Sequence, residues 1–261
     1  MPVPVHIGGN VRDFVFDTGA AQFNFVSERF ARENGIRMIA DSIPVAGIGR
    51  GWVGLGVADS LAVGGIVMRN PVFLISPPDQ ATDTIEVISA VLGNAFMRKA
   101  ERFTIDNRTR HIVFPAERTL HADGTKRMAN MMLNSFQPYV RIHADGIPLL
   151  FHFDTGNVAT TLYPPYYELF REQVDSCGVE DTVRIGGFAG VAENVCYRLP
   201  SVEFTLEGVP FTLRDIDVLP SGSAGATAGS EAGSLGTDFA TAFDTLTVDY
   251  TSCTVLGENV P

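Results

Sequence analysis

Apolar and polar residues alternate in short runs along this chain, and turn-forming residues separate the runs. Alternation with a period of two indicates β-strands that bury one face. Pairs of such runs around a tight turn predict hairpins at residues 5–16, 61–67, 142–153 and 202–209. Two stretches, residues 27–34 and 165–174, are helix-like instead. The pattern therefore predicts a β-rich protein in which helices are few and short.

One motif occurs twice, at the ends of two predicted strands. Residues 14–19 and residues 151–156 share the pattern Phe-x-Phe-Asp-Thr-Gly, and the copies are separated by about half of the 261 residues. A helix-like stretch, a hairpin, a Leu-Gly pair and a final strand follow each copy in the same order. The last two of these lie at residues 90–96 and 103–106 in the first half, and at residues 233–239 and 246–249 in the second. This order predicts an internal duplication.

The duplication predicts an all-β fold with two lobes of similar size. We place the N-terminal lobe at residues 1–118 and the C-terminal lobe at residues 135–261, each with one copy of the motif. Residues 119–134 are interpreted as the linker between the lobes. The Met-rich end of this linker is expected to form one or two helical turns.

Each motif places an aspartate at the end of a strand, where its side chain is exposed to a possible partner. The glycine two residues later permits the close approach of another chain segment, because it has no Cβ. If the two halves pack about a pseudo-twofold axis, Asp17 and Asp154 face each other. Two adjacent carboxyl groups hold one proton between them. Such a pair can activate a water molecule with one member and protonate a carbonyl oxygen with the other.

With these motifs the chain resembles an aspartic protease of the pepsin and retropepsin clan. It is most similar to bacterial retropepsin-like aspartyl proteases that carry two Asp-Thr-Gly motifs in one chain. The resemblance rests on four segments, residues 17–20, 91–93, 154–156 and 234–236. It implies two pseudo-twofold-related β-barrel-like lobes with a substrate cleft between them. Because both aspartates belong to one chain, it also implies that a monomer is sufficient.

The resemblance also implies roles for individual residues. Asp17 and Asp154 are the expected catalytic pair. Thr18, Gly19, Thr155 and Gly156 are expected to support the two active-site loops, and the two threonines are expected to tie the loops together by hydrogen bonds. The hairpin that covers the cleft, called the flap, is expected at residues 45–52. Its candidate residues for contact with the substrate are Gly47, Gly49, Gly51 and Trp52.

The sequence departs from the family pattern in three places. Asn157 follows the second motif, where a small residue is usual, and Ser234 stands where an apolar residue is usual. The flap region has no tyrosine. Two interpretations of Trp52 have equal weight: it contacts the substrate, or it packs within the lobe. The hydrogen bonds around Asp154 are therefore the feature that the resemblance predicts least.

Composition excludes several classes of partner. Thirty acidic and 19 basic residues give a formal charge of −11, which repels nucleic acids. The apolar runs are too short to span a membrane, and the five histidines lack metal-ligand spacing. No metal or organic cofactor is therefore predicted. The compartment is not determined, although a periplasmic or secreted location, with a leader removed from this chain, is favoured.

Two functions follow from these observations. The first is an aspartic endopeptidase that hydrolyses peptide bonds with a water molecule activated between Asp17 and Asp154. The alternative is a catalytically inactive module of the same fold that binds a peptide, a protein or a glycan in the inter-lobe cleft. The two aspartates, threonines and glycines of the motifs are all present, which favours the enzyme.

Overall fold

The strands and helices of the first half follow the predicted order. The computed structural model describes residues 1–20, 22–47, 49–76, 89–115, 128–187, 190–221 and 229–259. The strands of the first half are β1 (Pro2–Ile7), β2 (Asn10–Phe16), β3 (Asn24–Ser27), β4 (Arg37–Gly47), β5 (Gly49–Val57), β6 (Ser60–Val63), β7 (Ile66–Arg69), β8 (Val72–Ser76), β9 (Ala90–Leu92), β10 (Arg102–Asp106) and β11 (His111–Val113). Its helices are α1 (Glu28–Glu33) and α2 (Asn94–Ala100).

The second half contains a similar series of elements. Its strands are β12 (Met131–Asn134), β13 (Gln137–Ala144), β14 (Ile147–Phe153), β15 (Thr161–Leu162), β16 (Val179–Gly187), β17 (Gly190–Leu206), β18 (Val209–Val218), β19 (Gly233–Leu235), β20 (Thr245–Asp249) and β21 (Thr254–Glu258). Its helices are α3 (Pro164–Leu169), α4 (Arg171–Cys177) and α5 (Thr237–Thr241). The helix-like stretches predicted after the two motifs correspond to α1 and to the pair α3 and α4.

The strands form two large mixed sheets and one smaller sheet within the described ranges. The first large sheet has the order β4-β5-β8-β3-β9-β2-β1-β6-β7, and the second has the order β12-β13-β14-β19-β15-β18-β17-β16. The prediction of an all-β fold is confirmed, and the two large sheets are consistent with the two-lobed fold that the resemblance implies.

The pairing of the strands repeats as the sequence does. The hairpin β1–β2 corresponds to β13–β14, and both motif strands have a parallel neighbour, β9 for β2 and β19 for β14. The parallel pair β3–β8 likewise corresponds to β15–β18. One difference is that β17 runs without interruption for 17 residues, where the first half has the separate strands β5 and β6. The two aspartates therefore follow equivalent strands in equivalent sheets.

Phenylalanines anchor both motif strands in the core. Phe14, Phe16, Phe151 and Phe153 are completely buried. Their rings make edge-to-face contacts with other buried rings, such as the contact between Phe16 and Phe103 at a centroid distance of 4.9 Å. Because side chains alternate across a strand, the residue between each pair of phenylalanines points to the opposite face.

The smaller sheet joins the two halves directly. Its order is β11-β10-β20-β21, so that the last hairpin of the first half pairs with the last hairpin of the second. Thr104 pairs with Thr247, its counterpart in the duplication, and their hydroxyl oxygens are 2.8 Å apart. Because equivalent residues are direct partners, a pseudo-twofold axis passes between these two strands.

The Met-rich end of the predicted linker is a strand and not a helix. Residues 131–134 form β12, which pairs with β13, and the expectation of helical turns is wrong. Met131 is buried, whereas Met132 is half-exposed. This alternation is typical of a strand that packs one face against a core. Residues 119–127 lie outside the described residues, and the predicted lobe boundaries stay a prediction. Among the helices of the described ranges, none combines the length and the apolarity needed to cross a bilayer.

Candidate active site

Asp17 and Asp154 are held at the ends of β2 and β14 by the parallel strands beside them. The backbone N–H of Asp17 donates to the carbonyl of Leu92 at 3.1 Å, and that of Asp154 donates to the carbonyl of Leu235 at 2.9 Å. Both carbonyls belong to the Leu-Gly segments that follow the motifs in the sequence. These segments therefore position the two aspartates.

The two threonines of the motifs connect the halves through crossed hydrogen bonds. The hydroxyl of Thr18 donates to the carbonyl of Phe153, and the hydroxyl of Thr155 donates to the carbonyl of Phe16, both at 2.7 Å. Each hydroxyl oxygen also accepts from the backbone N–H of the other threonine, at 3.0 and 3.1 Å. Both threonines are buried. The four bonds fix the two loops relative to each other.

Each glycine of the motifs lies against the aspartate of the other half. A Cβ placed on Gly19 would be 2.1 Å from the carboxyl carbon of Asp154, and one on Gly156 would be 2.7 Å from that of Asp17. Contacts this short cannot occur between a Cβ and another heavy atom, so that only glycine fits at both positions. The symmetry of these contacts brings the two carboxyl groups together at the junction of the halves.

Backbone donors orient the carboxyl group of Asp17. The N–H groups of Gly19 and Ala20 donate to its Oδ1 at 2.8 and 2.9 Å. At Asp154, the N–H of Gly156 donates to Oδ1 at 2.8 Å. The two side chains are also hydrogen-bonded to each other.

The electrostatics of the pair favour one shared proton. Burial raises the pKa of Asp17 well above its ordinary value, and the adjacent charge of Asp154 and the hydrogen bond to it raise that pKa further. Burial also raises the pKa of Asp154, but its hydrogen bonds to Asp17 and to backbone N–H groups oppose that change. The two carboxyl groups therefore titrate as one coupled pair, which holds one proton between them.

Asn157 and Ser234, two departures from the family pattern, contact each other beside Asp154. The side-chain amide of Asn157 donates to Oδ2 of Asp154 at 3.0 Å and lies 3.4 Å from the hydroxyl oxygen of Ser234. In the first half, the corresponding residue Ala20 donates only through its backbone. Asn157 thus provides Asp154 with a donor that Asp17 does not have.

The four flap candidates all lie on the hairpin formed by β4 and β5. Gly47 pairs with Gly49 at its tip, and Gly51 and Trp52 follow along β5. Ile48 lies outside the described residues. Trp52 is 54% exposed, so it is not part of the buried core of the first half. The contact of this hairpin with a substrate stays a prediction.

The second half contains another hairpin of the same kind, which the sequence did not predict. Strands β16 and β17 form a long antiparallel pair, and Gly187 pairs with Gly190 at its end. The β16–β17 hairpin occupies the place in the second half that the β4–β5 hairpin occupies in the first half. The signal was present in the Gly-Gly-x-x-Gly of residues 186–190, which resembles the glycines of the first hairpin.

Comparison with known families gives one finding. A family model described as aspartyl protease matches residues 3–96, which include the first Asp-Thr-Gly motif, the β4–β5 hairpin and the first Leu-Gly pair. The first half of the chain is therefore similar to aspartyl proteases of the retropepsin-like kind. A comparison with curated proteins gives no match. Within the described residues, no three His, Cys, Asp or Glu side chains are grouped as metal ligands.

Proposed function

We propose that the chain is an aspartic endopeptidase whose catalytic pair is Asp17 and Asp154. The observation that supports this most strongly is the set of crossed hydrogen bonds between Thr18 and Thr155. They hold two equivalent carboxyl groups in contact, one on each half of the molecule. The match of residues 3–96 to the aspartyl protease family supports the same conclusion for the first half.

The proposed reaction uses the two carboxyl groups in different protonation states. Asp154, as the carboxylate, takes a proton from a water molecule, and the water oxygen forms a bond to the carbonyl carbon of the peptide. Asp17 gives its proton to the carbonyl oxygen. In the tetrahedral intermediate the C–N bond then breaks, the nitrogen takes a proton from Asp154, and Asp17 recovers its proton from a hydroxyl group. The two carboxyl groups return to their initial states without a metal or an organic cofactor.

The substrate in this proposal is a peptide or protein that lies between the two halves. One chain supplies both carboxyl groups, so a monomer is sufficient. The lobes comprise residues 1–118 and 135–261, and the β4–β5 hairpin, with Gly47, Gly49, Gly51 and Trp52, covers the substrate. The second hairpin, β16–β17, occupies the equivalent place and is proposed to contact the substrate from the other half.

Cleavage of a diverse peptide library between about pH 3 and pH 7 tests this function. The wild-type protein should cleave peptides, and Asp17→Asn should reduce the rate at least about a hundredfold, because an amide cannot supply the proton. Asp13→Asn is the matched control, since Asp13 is an exposed carboxylate on the same strand. Cleavage that persists in Asp17→Asn would refute the catalytic assignment. No cleavage by the wild type would favour the inactive binding module.

Substitution of Asn157 should change the pH dependence of cleavage. Its side-chain amide donates to the carboxylate form of Asp154 and so lowers the pKa of that group relative to the same site without the donor. In Asn157→Ala the pKa of Asp154 therefore rises, and the acidic limb of the kcat/KM profile moves to higher pH. Asn157→Ser, which keeps a short donor, should move it less. An unchanged acidic limb in Asn157→Ala would show that this hydrogen bond has no part in the reaction.

A further inference from the structure

The residue that precedes each catalytic aspartate by two positions differs between the halves. Val15 precedes Asp17 and His152 precedes Asp154. Because side chains alternate along a strand, each of these residues lies on the same face as its aspartate and opposite the buried phenylalanines. Both are half-buried. Val15 and His152 therefore occupy equivalent positions on the two sides of the catalytic pair.

The cross-strand neighbours of these two residues differ in the same way. Val15 lies between Pro2 on β1 and Val91 on β9. His152 lies between Tyr139 on β13 and Ser234 on β19. Three apolar side chains in the first half thus correspond to three polar side chains in the second. The strand face around Val15 is therefore apolar, and the strand face around His152 is polar.

The polar residues of the second half form one connected group. The rings of Tyr139 and His152 are 5.2 Å apart between centroids. The side chain of Tyr163 is hydrogen-bonded to that of Ser234. Glu231, only 7% exposed, adds a carboxyl group whose charge acts on His152 and on both tyrosines. We call these five residues the polar wall.

One member of the polar wall has an unused hydrogen-bonding position. The Nε2 atom of His152 is buried and has no hydrogen-bond partner among the described residues. Burial lowers the pKa of His152 to about 4, although the charges of Asp17 and Glu231 oppose this change, so the ring is neutral above that pH. In the tautomer that carries its proton on Nδ1, the Nε2 atom of a neutral imidazole accepts a hydrogen bond. A buried polar atom without a partner is costly, which favours a ligand that supplies a donor.

The charge around the wall favours a donor that is also positively charged. The catalytic pair carries one negative charge in its working state, and Glu231 adds a carboxyl group within the same electrostatic neighbourhood. Tyr139, His152 and Tyr163 are half-buried, whereas Ser234 and Glu231 are buried. A positively charged donor on a long side chain would therefore complement both this charge and the unpartnered Nε2 atom of His152.

We propose that the polar wall is a substrate-binding site that selects a lysine or arginine side chain at one of the two positions next to the scissile bond. The wall lies on the Asp154 side of the cleft. The equivalent apolar surface of Val15, Pro2 and Val91 accepts an apolar side chain at the other position. This inference rests on the proposed function, because it assumes that the peptide lies across both aspartates.

The cleavage preferences of the wild type and of His152→Val test this proposal. His152→Val makes the wall like its counterpart in the first half. We expect the preference for Lys or Arg over Leu at one position to fall at least tenfold, while the preference at the other position is unchanged. His152→Gln, which restores hydrogen-bonding atoms, should recover part of the preference. Val15→Thr is the matched variant on the opposite surface, and it should change only the other position.

The possible outcomes separate this proposal from the proposed function. Cleavage that requires Asp17 but shows no preference for Lys or Arg at either position, or a preference that His152→Val leaves intact, would overturn the polar wall as a binding site. If the wild type cleaves nothing, the same library is immobilised and incubated with the Asp17→Asn protein. Enrichment of Lys- or Arg-containing peptides that is lost in the Asp17→Asn, His152→Val double variant would support the site. Equal binding of all peptides would refute it.

Discussion

Gly19→Ala is expected to remove peptide cleavage while the chain remains folded. A Cβ at this position would lie 2.1 to 2.4 Å from the three atoms of the Asp154 carboxyl group, which must then move. A displacement of about 1 Å in a catalytic group lowers the rate by about a hundredfold or more. The backbone of Gly19 does not require the left-handed conformation, so alanine adds a steric contact and little backbone strain. Steady-state cleavage of the best library peptide measures the effect.

Gly65→Ala is the control for this prediction. Gly65 has φ of +84° in the turn between β6 and β7, and a Cβ there would have no neighbour within 4 Å. Alanine at a positive φ costs about 1 kcal/mol of stability, but this turn is not part of the catalytic pair. If the proposed function holds, Gly65→Ala should be less stable than the wild type and still cleave. If Gly19→Ala also cleaves at the wild-type rate, the carboxyl group of Asp154 does not occupy the described position during the reaction.

Thr18→Val is expected to lower the free energy of unfolding substantially. The valine has nearly the same shape but no hydroxyl group, so that the carbonyl of Phe153 and the N–H of Thr155 lose their hydrogen-bond partner in a buried place. Each buried group without a partner costs about 1–3 kcal/mol, so the two groups together predict a loss of roughly 2–6 kcal/mol. Equilibrium unfolding in urea measures this loss, with far-UV circular dichroism as the signal.

Thr18→Ser is the control that separates the hydroxyl group from the methyl group. Serine keeps both hydrogen bonds and loses one methyl group, which costs about 1 kcal/mol in a well-packed place. Thr155→Val should be as destabilising as Thr18→Val, because the contacts of the two residues are symmetrical. If the valine and serine variants have equal stability, the crossed hydrogen bonds do not hold the halves together.

Local pattern was sufficient for the elements that carry the motifs. The alternation around Phe14 and Phe151, the turns before the motifs and the order of the landmarks predicted the strands and their duplication. These signals are local, because strand alternation and the glycine-containing turns each depend only on residues that are close in the sequence. The Met-rich segment was predicted less well. Met131 and Met132 pair with β13. This segment is a strand because of that pairing, and not because of a preference of its own residues.

Sequence pattern is enough to establish that two predicted strands end in Asp-Thr-Gly and that each belongs to a similar unit. It also determined which side chains lie on one face of each strand, because that depends only on alternation. The hydrogen bonds between Thr18 and Thr155, and the contact of each motif glycine with the opposite aspartate, are visible only in the folded chain. The tertiary structure also decided that Tyr139 and Ser234 flank His152. The physical reason is that cross-strand register and the packing of two halves join residues that are distant in the chain, and no local preference encodes those partners.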